Sequence, residues 1–135
     1  MQPWKLNETY ELVKVAFGPD QVDLVSDSVR SVGQRQEFAR YHYREARRLA
    51  KRFESQHLGD GLLLDIYTQH GRKKRLAFES FIVKAGAHMT AAVQSIHSIP
   101  DILANAAYYS TAQNLAPQPL AERDISVPKV VKRLQ

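Results

Sequence analysis

Apolar residues recur along most of this chain at intervals of three and four, which is the period of a helix that packs on one side. The longest run starts at Val22 and predicts a helix over residues 20–56, interrupted only at Gln36. Alanine at several of its positions favours close packing inside a bundle, although a homodimeric coiled coil has the same spacing. The apolar positions of this first long segment are Val22, Val25, Val29, Val32, Ala39, Tyr43, Ala46, Ala50 and Phe53.

A second long segment follows the basic run at residues 72–75, and its apolar pattern continues straight through Pro100. Either Ser98 caps a new helix, with Asp101 completing a capping box, or one helix continues with a kink at the proline. The unbroken phase favours the kinked helix, which is expected to end near Asn114. The apolar positions are Phe78, Phe81, Ala85, Met89, Ala92, Ile96, Ile99, Leu103 and Ala106.

Three shorter segments complete the pattern. Residues 7–17 read as a helix that is ended by Gly18-Pro19. Residues 62–70 fit a short helix or a buried strand, and helix is favoured because no second strand is available to pair with it. Residues 126–135 begin with a serine cap and resemble the start of a helix, which either docks on the bundle or belongs to a longer protein.

These elements predict an all-α fold, a bundle of four to five helices with the two long ones at its centre. The length of 135 residues fits a single helical domain spanning 1–135. The absence of cysteine excludes disulfides, thiolate metal sites and cysteine nucleophiles. We find no signal-peptide pattern and no stretch apolar enough to span a membrane, so we expect a cytoplasmic protein without a membrane partner.

A polar face on the second long segment is one candidate site. Its side chains are spaced by three, four, four and three residues, and Asp101 is the only formally charged residue between Ala85 and Ala121. This composition indicates a partly buried face, on which His97 can hydrogen-bond Asp101 one turn away. A small-ligand pocket using His97 as acid/base or recognition residue is one interpretation, and a structural network between helices is the other. The face comprises Gln94, His97, Asp101, Asn105 and Tyr108.

A basic stripe on the first long segment is the second candidate. Its members fall within about 60° of one another around the helix. The net charge of +5 permits an acidic partner, so the stripe suits phosphate groups or acidic side chains, with a solvated helix face as the alternative. The stripe comprises Arg40, Arg44, Arg47 and Lys51, with Arg48 and Arg52 beside it.

Arg35 and His42 are separated by six residues and lie about 20° apart around the same predicted helix. This spacing resembles the R-x(4–6)-H pattern of HEPN-like helical proteins, in which paired protomers cleave RNA. The resemblance implies a metal-independent ribonuclease in which Arg35 stabilises phosphate charge and His42 transfers a proton. HEPN-like proteins usually carry Asn, Asp or His directly after the arginine, whereas Gln36 follows it here.

Motifs for metals, cofactors and activated nucleophiles are missing from the sequence, so we expect no metal and no cofactor. The long amphipathic helices favour a non-enzymatic interaction module that binds a protein partner or its own copy. An RNA-binding protein or HEPN-like ribonuclease using Arg35 and His42 is the first alternative. The second is a small-ligand site on the face of Gln94, His97 and Asp101.

Overall fold

The regular structure of the protein is helical throughout the residues that the computed structural model describes, which are 5–58 and 72–135. No strand occurs within those two ranges, and the predicted all-α bundle with two long helical segments is confirmed. The ambiguous segment 62–70 lies outside the described residues. The helices are α1 (Leu6–Phe17), α2 (Pro19–Phe53), α3 (Arg72–His97), α4 (Ile99–Ser110) and α5 (Val127–Leu134).

The chain divides into two compact units. Unit 1 comprises Met1–Arg35 and His97–Gln135, and unit 2 comprises Gln36–Ile96. Helix α2 runs without interruption from unit 1 into unit 2. Each unit buries apolar side chains of its own, so the expectation of a single domain stays a prediction.

The junction between α1 and α2 follows from two adjacent residues. Gly18 has a φ of +92°, a conformation that side chains with a Cβ rarely adopt, and its N–H donates to the Lys14 carbonyl at 3.0 Å. Pro19 then opens α2, where its missing N–H costs no intrahelical hydrogen bond. The predicted stop at Gly18-Pro19 is therefore confirmed.

The second long segment is interrupted at Ser98, two residues before Pro100, so the predicted kink is confirmed. The proline ring has no N–H to donate and crowds the carbonyl one turn earlier, which breaks the ladder at this point. Ser98 keeps a helical backbone, with φ −77° and ψ −16°, and its carbonyl accepts the Ile102 N–H at 3.2 Å. The chain therefore bends here without leaving helical geometry.

Helix α4 ends at Ser110, four residues before the predicted end near Asn114. Ala112 adopts a left-handed conformation with a φ of 52°, which a continuing α-helix does not allow. The Asn114 side chain instead forms a reciprocal pair with the buried Gln21 on α2. The Gln21 Nε2 donates to Asn114 Oδ1 at 2.6 Å and to the Tyr109 carbonyl at 2.5 Å, and Asn114 Nδ2 donates back at 3.1 Å.

The core of unit 1 forms between α4 and α5. Tyr108 is only 1% exposed and packs with Ala104, Ile125 and Val130. Its hydroxyl accepts the Leu120 N–H at 2.8 Å, which ties the loop before α5 to α4. Two turns of isolated helix are marginal in water, so the burial of Val130 stabilises α5.

Unit 2 is built on the second half of α2. Ala39, Ala46 and Phe53 are buried as predicted, but Tyr43 and Ala50 are exposed, which corrects the predicted stripe. The buried arc is rotated toward His42 and Leu49, both half-buried, because α3 packs on that side of α2. After Phe53 the chain makes one π-helical turn, Glu54–Leu58.

Candidate functional site

The predicted polar face does not gather into one pocket. Gln94, His97 and Asp101 are exposed, and no hydrogen bond joins the His97 and Asp101 side chains within the described ranges. Asn105 is half-buried and donates to the Asp101 carbonyl at 2.9 Å, while the Tyr108 hydroxyl belongs to the core of unit 1. The polar groups of these two residues serve the fold, and the small-ligand site stays a prediction.

The basic stripe on α2 contains two different kinds of cation. Arg40 pairs with Glu37 at 2.9 Å, and Arg48 pairs with Glu45 at 2.7 Å. The hydrogen bond from Arg48 lowers the pKa of Glu45 below its ordinary value of 4.5, and the charges of Arg48 and His88 lower it further. Three members and the neighbouring Arg52 are exposed and have no acidic partner in the part of the chain that the structure describes; the three members are Arg44, Arg47 and Lys51.

The net charge of the chain resides in unit 2. Residues 36–96 contain eleven Lys and Arg against six Asp and Glu, whereas the remainder has eight of each. The whole formal charge of +5 therefore falls on unit 2, and unit 1 is neutral. A charge asymmetry of this kind directs an anionic partner to one half of the molecule.

His42 forms a pair that the sequence analysis missed. Its Nδ1 lies 2.9 Å from the Nδ1 of His88 on α3, and the Tyr41 ring is steeply inclined to both imidazoles, with its centroid 5.1 Å from that of His42 and 6.4 Å from that of His88. At this distance one ring donates an N–H to the lone pair of the other. Arg35, the other residue of the HEPN-like pattern, is exposed on α2. The catalytic roles of Arg35 and His42 stay predictions.

A cleft opens between the end of α2 and the first turns of α3, with a volume of about 180 Å³. Its floor is aromatic: the Phe53 ring stacks on Phe81 at 4.7 Å between centroids, and the His57 ring lies 4.9 Å from Phe53. None of the described residues that line it is acidic. The lining residues are Leu49, Arg52, Phe53, Gln56, His57, Ala77, Ser80, Phe81 and Lys84.

Antiparallel pairing of the two long helices is the signal that leads to these missed residues. Phe53 contacts Phe78 at 5.6 Å between centroids. His42 lies eleven residues before Phe53 on α2, and His88 lies ten residues after Phe78 on α3. In an antiparallel pair these offsets place His42 opposite His88. A register that places Phe53 beside Phe78 thus also brings His57 and Lys84 to one cleft.

An exposed apolar stripe runs along α3 beside the surface that packs on α2. Ile82, Met89, Val93 and Ile96 are 43–57% exposed and are spaced by seven, four and three residues. Met89 and Ile96 were predicted to be core, which is wrong because α2 covers only part of the apolar arc. The residues turned toward α2 are Phe81, His88, Ala92 and Ser95. We call the four exposed residues the α3 apolar stripe.

The described residues contain no cluster of three or more His, Asp or Glu side chains that is suited to a metal ion. Of the helices in those ranges, none combines the length and the apolar character needed to span a bilayer. No protein-family model matches this chain, and no curated protein or solved structure matches it.

Proposed function

We propose that this protein is a non-enzymatic interaction module that pairs with a second copy of itself through the α3 apolar stripe. The observation that carries the proposal is the exposure of four large apolar side chains along about 21 Å of one helix. Covering apolar surface is favourable by roughly 25 cal/mol for each Å² removed from water. Continuous apolar surface of this kind is typical of an interaction site.

The charge pattern around the stripe supports a second copy as the partner. No Lys, Arg, Asp or Glu occurs between Lys84 and Asp101, so the part of the stripe that carries Met89, Val93 and Ile96 lies in an uncharged stretch of sequence. Two positively charged copies can therefore meet at these three residues without bringing many charges together, and a two-fold axis makes the same stripe complementary to itself. The alternation of three and four residues also suits knobs-into-holes packing.

Gly86 lies within the same stretch of α3 and favours close approach of a partner helix. A Cβ built on this glycine meets no atom of the described residues within 4 Å, so those residues leave the space above its backbone open. Close approach increases the number of dispersion contacts that the flanking Ile82 and Met89 make with a partner.

Sedimentation velocity of the wild type and two matched variants tests the proposal. Val93→Asp places a carboxylate inside the proposed interface, which we expect to weaken self-association at least about tenfold because an unpaired buried charge is costly. Val15→Asp introduces the same charge on α1, where Val15 is 86% exposed, and should leave self-association unchanged. A wild type that stays monomeric at about millimolar concentration, the range of Kd for the weakest pairings, would contradict the proposal.

The RNA-directed alternative requires a different use of unit 2. His42 Nδ1 is engaged by His88, so Nε2 is the atom left to transfer a proton to or from RNA. Cleavage of a labelled RNA that is lost in His42→Ala, in a variant that keeps its helical content, would favour this alternative. Cleavage that persists in His42→Ala excludes this role for the residue.

A further inference from the structure

Three basic side chains that have no acidic neighbour in the cleft converge at the end of α2. Arg52, His57 and Lys84 line one concavity, and no ion pair to Arg52 or Lys84 occurs within the described part of the chain. By contrast, Arg40 and Arg48 on the same helix are paired with glutamates. We infer that this cleft binds a phosphate group, with Arg52, His57 and Lys84 as its ligands.

The helix dipole does not neutralise these cations. The C-terminal end of α2 supplies about half of one negative charge, whereas Arg52 and Lys84 contribute two full positive charges. The described residues that line the cleft therefore give it a positive potential. Concave surfaces lined by apolar side chains concentrate such a potential, and Phe53 and Phe81 form the apolar floor of this cleft. An anion that enters the cleft lowers the electrostatic energy of the site.

The donor set matches phosphate better than carboxylate. A phosphate monoester offers up to two negative charges and three terminal oxygens, while a carboxylate offers one charge and two oxygens. Arg52, Lys84 and His57 line the cleft with side chains that carry N–H donors, and Ser80 and Gln56 add neutral donors. A doubly charged phosphate can therefore balance both formal positive charges of Arg52 and Lys84, whereas a carboxylate balances one.

The cleft is small, with a volume of about 180 Å³, and it is open to solvent. Pockets that enclose drug-sized ligands are larger, about 300–1,000 Å³. The cleft therefore accommodates a phosphate with a few attached atoms. The phosphate belongs either to a small phosphorylated molecule or to the end of a nucleic-acid strand whose remainder lies outside.

The π-helical turn Glu54–Leu58 is the local structure that builds the cleft. It follows directly on the buried Phe53 and holds the half-buried His57 ring against the Phe53 ring at 4.9 Å. Single π-helical turns occur frequently at functional sites, because they change the direction of side chains relative to the preceding α-helix. The imidazole thus has a defined position at the edge of the aromatic floor.

Binding of phenyl phosphate at constant ionic strength tests the inference, followed through the NMR signals of the His57 ring. We expect saturable shifts of these signals in the wild type. Arg52→Gln and Lys84→Gln should each weaken binding at least about tenfold, which is the effect of losing one charge-assisted hydrogen bond. Arg47→Gln removes the same charge as Arg52→Gln from another face of α2 and should change the dissociation constant less than about twofold.

Two results overturn the inference. Equal weakening by Arg47→Gln and Arg52→Gln would show that the anion responds to the general charge of unit 2. Benzoate binding as tightly as phenyl phosphate would show that the cleft has no preference for phosphate. Urea unfolding of each variant verifies that the exposed Arg52 and Lys84 are not needed for folding.

Oligonucleotides with and without a 5′ phosphate distinguish the two sources of the phosphate group. Tighter binding of the phosphorylated strand than of phenyl phosphate, with loss in Arg52→Gln, assigns the cleft to a strand end. Binding of the two phosphorylated probes with equal affinity assigns it to small phosphorylated molecules. If an unphosphorylated strand binds as tightly as the phosphorylated one and loses affinity in Arg47→Gln, the strand binds the basic stripe. That result would overturn the inference that the cleft binds phosphate.

Discussion

Replacing Tyr108 by phenylalanine tests the core of unit 1 at a single hydrogen bond. Tyr108 is 1% exposed, and its hydroxyl accepts the Leu120 N–H at 2.8 Å. The phenylalanine ring fills the same space, so the variant adds almost no cavity and isolates the loss of the acceptor. A partly buried N–H left without a partner costs about 1–3 kcal/mol, and we expect a loss of about 1–2 kcal/mol in the free energy of unfolding.

Two measurements report this loss. Urea unfolding followed by circular dichroism gives the change in stability, and amide hydrogen exchange gives the protection of the Leu120 N–H itself. Tyr109→Phe is the matched control, because the Tyr109 hydroxyl makes no hydrogen bond to any described residue and its loss should cost less than about 0.5 kcal/mol. Unchanged Leu120 exchange in Tyr108→Phe, together with a stability change below about 0.5 kcal/mol, would refute the reasoning.

Two further predictions concern a hydrogen bond within unit 1 and an ion pair within unit 2. Gln21→Ala removes the buried donor to the Tyr109 carbonyl and should lower the free energy of unfolding by about 1–3 kcal/mol in a urea titration, and a change near zero would show that water replaces the amide. Arg48→Gln should raise the pKa of Glu45 toward 4.5 in a carbon-detected NMR titration. Because the pKa of Glu45 is lowered in the folded state, its stabilising effect is present above pH 4.5 and is lost as the pH falls through the folded value. A Glu45 pKa that does not respond to Arg48→Gln would contradict the assigned cause.

The boundaries set by backbone chemistry were the most predictable part of the fold. Gly18 ends one helix because glycine readily adopts a positive φ. Pro19 begins the next helix because its ring fixes φ near the helical value. The bend near Pro100 follows from the same kind of local rule. The end of α4 at Ser110 was not predictable in this way, because Ala112 adopts its left-handed conformation without the glycine that usually signals it.

The direction in which each helix turns its apolar surface was less predictable. The periodicity defines a broad apolar arc, but the part that becomes buried depends on where the neighbouring helix lies. Tyr43 on α2 and both Met89 and Ile96 on α3 fall at the uncovered edges of such arcs. The His42–His88 pair depends in the same way on the register of two helices, which a single sequence does not specify.

The basic stripe and the cleft differ in the same way in how far the sequence predicts them. The basic stripe was visible in the sequence because its members are close together on one helix. The cleft joins Arg52 and His57 to Lys84, which lies on the next described helix. The charged residues of 36–96 can be counted from the sequence. Their sum describes the charge of one unit only once the structure shows that these residues form that unit.

Single-cysteine cross-linking at Met89 determines whether two copies of this chain meet at the α3 apolar stripe. The chain contains no cysteine, so Met89→Cys introduces the only thiol, and a short bis-maleimide can then join only two separate copies. Pairing through the α3 apolar stripe predicts that Met89→Cys becomes a covalent dimer, while Val15→Cys on α1, where the side chain is more exposed than that of Met89, stays monomeric. Equal cross-linking of the two variants, or none at Met89, would contradict the account.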